Sequence, residues 1–162
     1  MTVAAGSRIL ASDIQALQVP YARKTSDQSV TSSTTLVNDT QLVVAVSASN
    51  AYKFDLVLLY KGAAAGTGDL KFAWSVPAGA TVVSHLLFAD TGLVARLNYQ
   101  TATTSPPMGT NGTGNPLSLR CTGTIVVSST PGSLQLQWAQ NTSNATATTV
   151  LTGSSLTLTN IT

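Results

Sequence analysis

The strands this chain can form are made of Thr, Ser, Val, Leu and Ala, with almost no charge among them. The sequence holds 25 Thr and 18 Ser in 162 residues, six Asp and no Glu; 9% of its residues are charged and 43% are hydrophobic. Glu, Lys and Arg normally furnish the solvated faces of helices, whereas β-branched Thr and Val fit a pleated strand. The chain therefore reads as all-β. It also lacks the charge with which a solitary β protein guards its edges against self-association. That combination points to a surface meant to be covered, by copies of the chain or by a larger assembly.

The length is that of one domain with a real core. The net charge of +2 is scattered, with no basic run and no Lys/Arg cluster interleaved with aromatics. Binding nucleic acid through counterion release needs several phosphate contacts on one face, so nucleic acid is not an expected partner. The longest apolar stretch, around Leu56 to Tyr60, has the length of a strand and cannot span a bilayer, so no membrane partner is expected. No basic segment followed by an apolar one opens the chain, and no signal peptide is expected. Cys121 is the only cysteine, which excludes an intrachain disulfide and a cysteine-based metal site. In the strand-like Leu119-Arg120-Cys121-Thr122 it reads as a small buried hydrophobe, at home in a reducing cytoplasm. Sequons at Asn38, Asn111, Asn141, Asn144 and Asn160 are what so many Ser and Thr produce by chance.

Residues 1 to 22 differ from the rest and read as an arm, with a β-sandwich domain over 23–162. Ser12 can cap a short helical turn carrying Ile14 and Leu17, too short to be stable alone, and Pro20 ends it. Ile9, Leu10, Ile14, Leu17 and Tyr21 are the expected anchor residues of this arm. Arg23 and Lys24 read as a linker.

From Gln28 onward, short strands alternate with turn signals. Ser29–Val37 reads as an exposed or edge strand, Asn38-Asp39 as its turn, and Gln41–Val46 as the next strand. Ala51–Tyr60 carries the strongest pattern: Tyr52, Phe54, Leu56, Leu58 and Tyr60 share one face, and Val57 and Leu59 make the other face apolar at one end, as in a central strand covered twice. Leu70–Val76, Thr81–Phe88, Leu93–Tyr99, Leu117–Val127, Leu134–Trp138, Thr148–Leu151 and Ser155–Ile161 follow. About eight to ten strands with turns every eight to twelve residues predict a two-sheet antiparallel sandwich, a jelly roll. The long loop 100–116 contains no ionisable residue. A loop of that length is a contact loop or a mobile one, and Pro106, Pro107, Met108 and Asn111 are its expected contact residues.

Chemistry has little to work with. His85 is the only histidine and reads as a core or interface residue. A Ser–His–Asp triad would have to recruit a scattered Asp, and no Gly-x-Ser-x-Gly elbow supports one. Most of Asp13, Asp27, Asp39, Asp55, Asp69 and Asp90 fall at turns or strand starts, where Asp bonds nearby backbone. No metal, cofactor or enzymatic activity is expected. Of nine aromatics, only Tyr21 and Tyr99 read as free of the inner face.

Two regions carry a resemblance. The run from Arg23-Lys24-Thr25-Ser26-Asp27-Gln28 to Leu36, with Asn38-Asp39-Thr40-Gln41-Leu42, and the run Leu134-Gln135-Leu136-Gln137-Trp138-Ala139-Gln140-Asn141-Thr142-Ser143, with Thr148–Leu156, resemble proteins of actinobacterial phages and prophages. The opening Ala5-Gly6-Ser7-Arg8-Ile9-Leu10 with Ala11-Ser12-Asp13-Ile14 is similar to the short start of phage tail, fibre and head-surface proteins. The ending, a strand with Trp138-Ala139-Gln140, a polar loop and a Leu-rich strand, is similar to trimeric jelly rolls of the tumour-necrosis-factor type. The resemblance implies a virion structural protein: a homotrimer decorating the capsid, bound to the major capsid protein or other virion proteins. The arm would contact capsid subunits or neighbouring copies, the sheet faces at Tyr52–Tyr60 and Leu134–Trp138 would pack on each other and on sister subunits, and loop 100–116 would face outward or bridge neighbours. A tail- or head-fibre module binding host glycan is the second expectation, and a sandwich hydrolase with two Asp converging on His85 the third.

Overall fold

The computed structural model describes residues 19–64 and 66–162. Among them lie eleven strands and no helix: β1 (Tyr21–Arg23), β2 (Gln28–Val30), β3 (Val37–Val46), β4 (Ala51–Lys61), β5 (Leu70–Ser75), β6 (Thr81–Ala89), β7 (Ala95–Gln100), β8 (Leu117–Val126), β9 (Gly132–Gln140), β10 (Thr148–Val150) and β11 (Ser155–Asn160). From β4 onward, the sequence pattern locates nearly every strand to within about two residues. The expected helical turn and the anchor residues Ile9, Leu10, Ile14 and Leu17 lie outside the described residues.

The strands form two antiparallel sheets. Sheet I runs β1-β11-β4-β8-β6-β7, with β10 pairing both β4 and β2; sheet II runs β3-β9-β5. A stretch of the long loop completes sheet II. Residues 102–108 lie along the free edge of β5, with Trp74 N donating to Ala102 O (3.1 Å), Ser105 N to Phe72 O (2.7 Å) and Met108 N to Leu70 O (2.8 Å). Read in chain order, the eight strands β3, β4, β5, β6, β7, 102–108, β8 and β9 give the spatial orders β3-β9-β5-(102–108) and β4-β8-β6-β7. This is the jelly-roll arrangement, with β11 and β1 added to sheet I beyond β4.

Alternation explains the core. Tyr52, Phe54, Leu56, Leu58 and Tyr60 of β4 all point inward, and they meet Leu134, Leu136 and Trp138 of β9 and Phe72 and Trp74 of β5. Phe54 and Trp74 meet edge to face across the sheets at 5.2 Å. These side chains are almost wholly sequestered inside one protomer, so the faces at Tyr52–Tyr60 and Leu134–Trp138 pack on each other and leave nothing for a sister subunit. The outer residues Val57 and Leu59 are half-buried rather than covered by a second layer.

Three local readings are corrected. The strand expected over 29–37 is only the short β2, and Asn38-Asp39 is no turn: both residues lie inside β3, where the register on β9 shifts between Asn38 and Val43. The Arg23–Lys24 linker belongs to the domain. Ala22 is buried in β1, which pairs with β11, so the expected boundary at 22–23 falls inside a strand. Lys24 is fully buried, and its Nζ donates to both carboxylate oxygens of the equally buried Asp39, at 3.0 and 2.9 Å. Asp39 Oδ1 also accepts from Gln41 N (3.0 Å) and Leu42 N (2.9 Å), which is why an Asp sits where β3 is irregular. The third correction concerns His85, which is exposed and not a core residue.

Candidate assembly surface

The outer face of sheet I can be built from its register. Tyr21 pairs Thr157, Thr157 pairs Asp55, Asp55 pairs Thr122, Thr122 pairs His85, and His85 pairs Tyr99. One row thus crosses six strands, with a tyrosine at each end. The row beside it reads Arg23, Ser155, Val57, Arg120, Leu87, Leu97. Successive strand residues alternate faces, so both rows lie on the same side.

At the β6–β7 end this face is apolar and open. Leu97 is 71% exposed, Tyr99 57%, Leu87 50% and Val83 47%. Leu87 stands directly opposite Leu97 and His85 directly opposite Tyr99, distances at which cross-strand side chains touch. Lone exposed apolar residues are ordinary, but a contiguous cluster marks a surface that binds something. Sheet II packs on the inner side of sheet I, where it buries Val82, Ser84, Leu86 and Phe88 of β6. The outer side of sheet I carries no second layer among the described residues, and the cluster on it is open for that reason. At the β7 edge the inner residues Arg96 and Asn98 are exposed as well.

Away from the β6–β7 end, polar groups make up most of this face. Arg120 Nη2 lies 3.3 Å from Asp55 Oδ2, a partly exposed ion pair of the kind worth about 0–1 kcal/mol. Asp55, His85, Leu87, Leu97, Arg120 and Thr122 line one shallow depression. Among the described residues, Asp55 is the only carboxylate near His85, and Arg120 already engages it. The other carboxylates are committed elsewhere: Asp39 to Lys24, Asp69 to Thr110 N (3.1 Å), Asp27 to Thr152 N (2.8 Å), and Asp90 to its own loop. Asp13 lies outside the described residues. A two-carboxylate site at His85 is therefore not assembled by the described residues, and no group of three or more His, Cys, Asp or Glu among them could hold a metal.

Asp90 organises the β6–β7 connection. Its Oδ1 accepts from Gly92 N (2.9 Å) and Val94 N (3.0 Å) and its Oδ2 from Arg96 Nε (2.6 Å). The Val94 amide first, then Arg96, hold its carboxyl below the usual value of 3.8. Burial pushes the Cys121 thiol up to about 11, which makes it inert packing.

The residues expected from sequence fall in different places. Tyr21 is exposed in β1, at the far end of the outer row from Tyr99. Of the loop residues, Asn111 is exposed, while Pro106 and Pro107 are half-buried beside Arg96 and Asn98, under the inner side of β7. Met108 is fully buried and bridged to Leu70, so its side chain serves the core, not an outside contact. Sequence reading passed over Val83, Leu87 and Leu97 as surface residues. Their signal was present: β6 carries apolar residues on both faces, with Val83 and Leu87 beside His85.

These features define a jelly-roll β-sandwich with a self-sufficient core and one uncovered apolar face. No family model matches the chain, and no curated protein matches it. Among solved structures, it is similar to infectious bursal disease virus, Gt strain (10% identity, TM-score 0.22, 88% of this chain and 40% of that one). It is similar to the VP2 subviral particle of the same virus at 10% identity and TM-score 0.22, over 88% of this chain and 42% of that one. The Gx strain structure gives 13% identity and TM-score 0.21, over 88% and 40%. The chain spans about two-fifths of the length of these structures.

Proposed function

We propose that the chain is a non-enzymatic bacteriophage structural protein that decorates the capsid surface as a homotrimer. The residues before β1 would serve as its anchor on the major capsid protein, and the mature protein would reside in the virion after synthesis in the host cytoplasm. The observation that carries the reading is a completed core beside an apolar outer face, in a chain with too little charge to keep that face solvated. The resemblance of residues 23–160 to phage proteins adds to it. Such a protein strengthens a shell by avidity, several weak contacts at a symmetry point acting together. Co-sedimentation with empty capsids tests it: the full chain should pellet and a chain lacking residues 1–20 should not. Equal pelleting of both would end the anchor assignment, and no pelleting of either would end the decoration reading.

A host-glycan module is the second reading. What favours it is the outer row that ends in exposed Tyr21 and Tyr99 and holds Asp55, Thr122 and His85 between them, since aromatic faces with flanking hydrogen-bonding groups suit sugars. Binding to a glycan array that is lost in Tyr99→Ala would support it; an array without signal would dismiss it.

A further inference from the structure

We propose that the outer face of the β4–β8–β6–β7 sector, centred on Val83, Leu87, Leu97 and Tyr99, is where a second copy of this chain docks. This rests on the self-association in the function proposed above and not on its order: a face that meets the same face of another copy is isologous and makes a two-fold pair, not a trimer. Three observations single out a second copy.

The first is size. Four strands at about 4.8 Å spacing and about nine residues at about 3.4 Å give a footprint of about 590 Å². Accessible area exceeds footprint on a corrugated face, which brings this sector to the order of the ~800 Å² per partner of a standard stable interface. The second is charge. Asp55 and Arg120 neutralise each other within the sector, and Lys53 and Lys61, toward the two ends of β4 on the same side, are the charges that remain, at its margin. Two such faces meet with neutral centres and their lysines at the solvated rim, whereas a phosphate-rich partner would need a basic excess. The third is where the apolar groups lie. β7 is an edge strand hydrogen-bonded to β6 alone, and its inner side carries Arg96 and Asn98 while its outer side carries Leu97 and Tyr99. A hairpin wet on both sides would have no reason to segregate its residues this way. The segregation directs one side to solvent and the other to a partner with an apolar centre, which the same face of another copy supplies.

The test is the mass of the full chain in solution by light scattering and sedimentation velocity. It compares the native chain, Leu87→Lys/Leu97→Lys, and Val43→Lys on the exposed face of sheet II as control. The native chain and the control should show a multiple of the 16.6 kDa protomer. The double variant should run as a 16.6 kDa protomer with an unchanged circular dichroism spectrum, its self-association weakened at least about a hundredfold. Should the double variant misfold, Leu97→Asn, at the most exposed of these positions, takes its place with the same expectation. A double variant that keeps the native mass overturns the surface assignment. A native chain at protomer mass overturns docking of a second copy, and if it still pellets with capsids, the decoration reading survives without it.

Discussion

Lys24→Met is the perturbation whose outcome the fold constrains most tightly. The substitution keeps an unbranched apolar stem of similar length and removes only the ammonium, from a site where Lys24 and Asp39 are both at 0% exposure. Removing one partner of a buried ion pair typically costs about 3–5 kcal/mol, because the other charge stays buried and unpaired. Asp39 would still accept from Gln41 N and Leu42 N, so the loss should fall near the lower end, about 3 kcal/mol. Asp39→Ala should be worse, about 5 kcal/mol, since it strands the ammonium and also leaves two backbone N–H groups without an acceptor. Lys24→Met/Asp39→Asn removes both charges while the amide oxygen keeps the two N–H bonds. Its loss should be at least about 2 kcal/mol smaller than the sum of the losses of Lys24→Met and Asp39→Asn measured singly. The assay is urea unfolding at one fixed protein concentration, because self-association would otherwise shift the midpoint. In a chain of this size the single variant should melt about 6–12 °C lower. A Lys24→Met protein within about 0.5 kcal/mol of the native one, or a double variant that is simply additive, would refute the reasoning.

Other outcomes follow from particular contacts. A Cβ on Gly123 would run into the carbonyl oxygen of Val83 and lie 2.7 Å from Ser84 Cα, so Gly123→Ala should destabilise by about 1–3 kcal/mol or more; unaltered urea midpoints would show that β6 can give way. Asp90 has its pKa lowered in the folded chain, so its contribution to the β6–β7 turn is fully present above pH 3.8 and is lost as pH falls through the lower folded value. The Gly92 and Val94 amide resonances should report this by titrating below 3.8, and a midpoint at or above it would contradict the bonding described. Cys121, with its thiol raised to about 11, should ignore a thiol reagent at pH 8 in the native protein and react at once in denaturant; fast native labelling would mean the core opens there.

Strand positions from β4 onward, the all-β class and the two-sheet sandwich were legible from residue order alone. The period-two placement of Tyr52, Phe54, Leu56, Leu58 and Tyr60, or of Leu134, Leu136 and Trp138, decides which face turns inward without reference to any partner strand. Tertiary structure decided what depends on contacts between distant residues. Lys24 and Asp39 look like a linker residue and a turn residue because nothing local shows that they meet; only the approach of the β1 segment to β3 makes them a buried pair. The loop 100–116 has turn-rich composition, yet 102–108 closes sheet II because β5 presents an unpaired edge that backbone groups of any sequence can satisfy. Whether Leu87 and Leu97 are core or surface was beyond sequence for the same reason: an apolar residue on either face of β6 reads alike, and it is the packing of sheet II on only one side of sheet I that buries Leu86 and leaves Leu87 and Leu97 open.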